Sequence, residues 1–249
     1  MLAGRWKRSL LLSQAAVFVW IFAGMAGQDT VLSPATIDEI RTALTAAPER
    51  GGPFFSEIHA EAFVQKYGFG AVPVLIGLLQ EDVVPRNKGR ICFYLGKFRD
   101  ARAVQPIIDL IEKAAGAPVG KDEQFMLRFA MHGLGFTGEK VALDFLRKLA
   151  RNEYWDKFTF RPFGEKGSYA TVEGCRKEMR RWALRGIGGS GTEYGLTLLR
   201  ELKEGDAADL VKDVDCWIRE CGDRITGKHL EERKKYGFVS IGAAGGPSI

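Results

Sequence analysis

The chain is poor in the residues that reactions and metals use most. It has three histidines and four cysteines among 249 residues. His59, His132 and His229 lie far apart, none forms a His-x-x-x-His pair, and no Cys-x-x-Cys accompanies them. Zinc therefore has no local signature. A phosphate loop is missing too, because Gly188-x-x-Gly191 lacks the lysine and the preceding strand that such a loop needs. The reading from these absences is no catalytic residue, no metal and no cofactor.

What the chain has instead is repetition. Leu134 to Leu149 (LGFTGEKVALDFLRKL) returns 53 positions later, without a gap, as Ile187 to Leu202 (IGGSGTEYGLTLLREL). A looser copy runs from Leu95 to Ile111, and Ala71 to Leu79 matches Ala103 to Ile111 at a step of 32. Repetition at roughly 20 to 50 residues marks stacked supersecondary units. In this alignment Ser190, which superficially resembles a strained nucleophile, corresponds to Thr137 in an ordinary turn between helices.

Each unit reads as helix, short turn, helix. From Val141 to Leu149 the residues Val141, Leu143, Phe145, Leu146 and Leu149 gather on one side at a period near 3.6, with Asp144, Arg147 and Lys148 largely opposite. The preceding helix, about Glu123 to Leu134, carries Phe125, Met126, Phe129, Ala130 and Leu134 in the same manner. Gly96, Gly135 and Gly188 are expected to close first helices in the left-handed conformation. Pro73 and Pro106 suit the starts of second helices. Small residues such as Ala130, Ala183, Gly133 and Gly186 permit close helix approach. A pair this short cannot bury its apolar face alone, so stacking is required. The expected fold is all-α: an α-solenoid (α-α superhelix) of about four to five helix pairs.

Arg90-x-x-x-x-Leu95-Gly96, followed by Asp100, Ala103-Val104, Pro106 and Ile107-Ile108, resembles bacterial HEAT repeats, including the short type of the phycobilin lyases. Arg181-x-Ala183-Leu184-x-Gly186-Ile187-Gly188 is similar, with one extra residue before the turn. The likeness covers about Phe55 to Leu202, with a closing unit around Ala207 to Ile225. It implies a binding scaffold, and less commonly an enzyme or enzyme subunit that holds a chromophore or other small ligand.

Residues 1–26 differ in kind. Arg5, Lys7 and Arg8 precede an apolar stretch from Leu10 to Phe22, and Gly24-Met-Ala26 supplies small residues for cleavage. That order describes a signal peptide and an exported product, periplasmic or secreted; the alternative is an uncleaved anchor that would bring a membrane into play. The formal net charge of +5 includes three cations of this leader, so the remainder is near +2 and gives no reason to expect nucleic acid. Residues 27–54 read as a helix, Pro34 to Ala46, and a linker; 55–230 as the array; 237–249 as a flexible tail. Cys92, Cys175, Cys216 and Cys221 permit a disulfide after export, with Cys216 and Cys221 pointing about 140° apart on one helix.

Candidate binding residues lie where the repeat is interrupted. The insertion at 152–171 carries Tyr154, Trp155, Phe158, Phe160, Arg161, Phe163 and Tyr169, the residue types that dominate protein contacts. The alternative is that these rings cover a groove between units. Beside it Arg176, Lys177, Arg180, Arg181 and Arg185 form a cationic side at helical spacing, with Arg176 and Arg180 the leading candidates and a solvated face the alternative. The expected partner is a protein or peptide.

Overall fold

The computed structural model describes residues 31–45 and 57–230, so the leader, most of the linker and the tail lie outside the described residues. Within them the chain forms ten α-helices and no strand. In order these are α1 (Pro34–Thr45), α2 (Glu57–Tyr67), α3 (Ala71–Gln80), α4 (Pro85–Lys97), α5 (Val104–Lys113), α6 (Lys121–Thr137), α7 (Lys140–Leu149), α8 (Val172–Gly189), α9 (Glu193–Glu204) and α10 (Val211–Ile225). The pairs α2/α3, α4/α5, α6/α7 and α8/α9 pack on their neighbours in chain order, and α10 lies on α8 and α9. This is the expected all-α, solenoid-like arrangement. Among the described residues no single helix is long and apolar enough to cross a membrane.

The two best sequence copies fold alike down to single hydrogen bonds. Thr137 Oγ1 donates to the Leu134 carbonyl at 2.7 Å, and Ser190 Oγ to the Ile187 carbonyl at 2.7 Å. Both hydroxyls are buried and serve the end of a helix. The turns, however, are not made by Gly96, Gly135 and Gly188. Those three glycines lie inside α4, α6 and α8. The left-handed residue comes three positions later in each unit: Arg99 (φ 52°), Gly138 (φ 72°) and Gly191 (φ 60°). Asp100 and Thr192 then cap the following helical turns, accepting from the N–H groups of Arg102 and Gly195.

The displaced glycines have a different task. A Cβ on Gly96 would lie 2.0 Å from the Gly133 carbonyl oxygen, and one on Gly135 would lie 1.9 Å from that of Gly186. Helices α4, α6 and α8 therefore touch backbone to backbone, where no side chain fits. The second helices α3, α5, α7 and α9 meet one another only sparsely. Close spacing in the first-helix layer and wide spacing in the second must curl the array towards the first layer.

The curl brings distant units together. Glu57, at the start of α2, accepts from Arg224 Nη2 of α10 at 2.6 Å and from Lys97 Nζ of α4 at 2.7 Å. Arg224 also binds Glu220 at 2.8 Å, and Lys97 Nζ stands 3.7 Å from the centre of the Phe136 ring. Burial pushes the Glu57 carboxyl up, but the charges of Lys97 and Arg224 and their hydrogen bonds hold it well below the usual carboxylate range.

Between the layers runs a continuous apolar core. It takes Val104, Ile107, Ile108 and Ile111 from α5, and Ala142, Leu143, Phe145, Leu146 and Leu149 from α7. Each fully buried leucine or isoleucine contributes roughly 2 kcal/mol. Val141 departs from its expected side: it is 62 % exposed. Its position, one residue before Ala142, puts it past the edge of the stripe.

Candidate functional site

Exposed or half-buried cations and rings alternate across the first-helix layer, with Trp182 and Trp217 also packing against the core. Arg86 of α4 lies 4.8 Å from the centre of the Phe125 ring of α6. Arg128, also on α6, lies 4.5 Å from the Trp182 ring of α8. Arg185, one turn further along α8, lies 4.5 Å from the same ring and 5.5 Å from Trp217 of α10. The series crosses four consecutive first helices. It forms because i, i+3 spacing sets Arg128 beside Phe125 and Arg185 beside Trp182, and close packing then brings the helices into register.

These cations are short of anions. None of Arg86, Arg128 and Arg185 forms an ion pair with a described residue. The Arg128 Nε is buried and has no hydrogen-bond partner. Burial pushes Arg185 down; Glu57 and Glu220 oppose this, while Arg128 and Arg224 add to it. Arginine keeps its charge at any working pH, so this cost is carried by the fold. Acids stand nearby but are engaged: Glu178 and Asp213 hold Arg181, at 2.5 Å and 3.0 Å.

The insertion at 152–171 turns mostly inward. Trp155 is 0 % exposed, and its Nε1 donates to the Leu149 carbonyl at 2.7 Å. Phe158 and Phe160 are buried with it. The backbone on either side of Phe160 bonds Val119, in the connection before α6, at 2.8 Å and 3.0 Å, and Gln124 Nε2 reaches the carbonyls of Val119 and Arg161. Phe163 and Tyr169, half-buried, stack on each other at 4.7 Å. Arg161 alone of the named residues of the insertion is exposed. Trp155, Phe158 and Phe160 therefore offer no surface to a partner; these rings fill the gap between units.

The basic run divides in the same way. Arg180 is 5 % exposed, with guanidinium bonds to Asp209 and to the carbonyls of Ala150 and Asp206. Arg176 reaches Asp156 at 2.8 Å. The structure does not gather these residues into one cationic side: Arg180 ties the insertion's base to the start of the closing unit, while Arg185 faces the ring series. Sequence spacing put Arg185 in the basic run but did not single out Trp182, because the register of neighbouring helices is needed to see their common surface.

A second feature lies on the other layer. A cleft of about 320 Å³ is lined by Ile108, Glu112, Val141, Asp144, Phe145, Lys148 and Tyr154. The Tyr154 hydroxyl is buried without a hydrogen-bond partner, and burial, aided by Glu112, pushes its ionisation up. Among the described residues no group of three or more His, Cys, Asp or Glu could hold a metal. All four cysteines are free thiols, three of them buried. His132 packs against Phe93 and Phe136, and burial lowers it well below the ordinary histidine value. Comparison with protein-family models, curated proteins and solved structures finds no match.

Proposed function

We propose that this chain is an exported, non-catalytic HEAT-like scaffold that holds a protein or peptide partner along its first-helix layer. The observation that carries the reading is the cation and ring series from Arg86 to Trp217, in which three arginines form no ion pair among the described residues. Arginine and tryptophan are the residue types that concentrate binding energy at protein interfaces. A scaffold that used them only for its own stability would have placed acids opposite them, as it does for Arg180 and Arg224.

A photo-crosslinking residue placed at Trp217 and, separately, at Val141 tests this. Recurrent adducts to one partner from position 217, and none from 141, are expected in producing cells. Adducts only from 141, or from neither position, overturn the reading. Export rests on the leader at residues 1–26 and is checked independently. N-terminal sequencing should begin at Gly27 or Gln28, and a chain retaining Met1 would exclude cleavage.

A further inference from the structure

We infer that Arg128, Trp182, Arg185 and Trp217 receive an acidic peptide segment in which carboxylates are separated by apolar side chains. The inference rests on the proposed use of the first-helix layer and gives that partner a chemistry.

Two guanidiniums stand 4.5 Å from one indole ring, Arg128 and Arg185 on Trp182, and neither meets a carboxylate among the described residues. The ring stabilises each cation through its face but leaves the edge-on N–H donors of the guanidinium free for an anion. A carboxylate accepts two such donors at once, and that charge-assisted pair is roughly twice as strong as a neutral hydrogen bond. Trp182 and Trp217, both half-buried, supply the apolar surface on either side of Arg185.

The same face chooses between kinds of anion. Glu178, Asp213 and Glu220 stand on α8 and α10 beside these cations, the first two held by Arg181 and the third by Arg224. A polymer with a negative charge on every unit, such as a polyphosphate or a nucleic acid, would bring like charges against them. A peptide with isolated carboxylates can match Arg128 and Arg185 and place neutral residues opposite the acids. Charge complementarity therefore favours the sparse anion.

The test uses the full processed chain and the fluorescence of its tryptophans. Three probes are titrated: a synthetic peptide of about twelve residues with glutamate at every third position between leucine and serine, its glutamine counterpart, and polyphosphate. The glutamate peptide should bind, weaken with added salt, and bind at least about tenfold more tightly than the glutamine peptide. Arg185→Gln should lower its affinity about tenfold and Arg185→Lys by less, because lysine keeps the charge without the fork. Arg219→Gln, an equal loss of charge on the exposed side of α10, should leave it within about twofold. Circular dichroism of each variant confirms that the helices persist. Equal binding of both peptides, polyphosphate binding as tightly as the glutamate peptide, insensitivity to Arg185→Gln, or no binding up to millimolar peptide would each overturn the inference. Crosslinks from position 217 alongside any of these results would remove only the acidic chemistry. Absence of those crosslinks would remove the binding face itself.

Discussion

Glu57 shows how much one side chain contributes when it bridges units far apart in sequence. Its carboxyl faces Lys97 and Arg224 together, and replacing it by glutamine leaves two cations side by side with no anion between them. Glu57→Gln should cost about 2 kcal/mol at neutral pH, below the range for fully buried pairs because the side chain keeps some exposure. The pH dependence has a definite sign. A carboxyl held low in the folded state adds stability above about pH 4.3, its unfolded value, and that stability is lost as pH falls through the folded value. Urea unfolding at pH 7 and pH 4 should therefore show a smaller gap between wild type and Glu57→Gln at the lower pH. Trp155 gives a second measure at this scale. Because it fills the space under the insertion and bonds Leu149, Trp155→Ala should cost about 3 to 5 kcal/mol in thermal or urea unfolding. A residue belonging to a solvent-facing loop would give a loss several times smaller.

Among the helices, the glycines separate two meanings of one residue type. Gly135 of α6 sits under the Gly186 carbonyl, whereas Gly222 of α10 has nothing within 4 Å of where a Cβ would stand. Gly135→Ala should cost about 3 kcal/mol or more, since the two backbones must separate. Gly222→Ala should instead stabilise by about 0.5 to 1 kcal/mol, as in any unobstructed helix. Paired unfolding curves test both signs together. The sequence placed Gly135 at a turn, and the reason it misled is physical. Close approach and a left-handed φ both exclude a Cβ, so glycine alone does not say which applies. Period 3.6 and the two copies located α6 to α9 well, with α7 beginning one residue from its expected start. The insertion was equally legible as an interruption. Its inward course was not, because aromatic content is the same for a ring that covers a groove and one that meets a partner.

For the array between α2 and α10, stability is shared in an unusual way. In an open stack each unit touches only its neighbours, and the last one frays independently of the first. Here a bond spans 167 positions, from Arg224 to Glu57. Amide exchange in α10 should therefore quicken when Glu57, on α2, becomes glutamine, while Gly77→Ala on α3 leaves it unchanged. Mass spectrometry of deuterium uptake, peptide by peptide, checks this. The ring and arginine series belongs to the same scale: its members come from α4, α6, α8 and α10, and only helix register unites them. Repetition announced the stacking but could not announce that register, since it depends on which backbones touch.

The meeting of Glu57 with Arg224 also bears on how such a chain could lengthen. Arrays of this kind ordinarily grow by duplicating a helix pair, because the new unit disturbs only the junctions on either side of it. In this chain an extra pair between α4 and α10 would add a step to the curl and carry the guanidinium away from the carboxylate. Gene duplication inside the array would thus be selected against unless the two residues changed together, and the number of units is fixed by its ends.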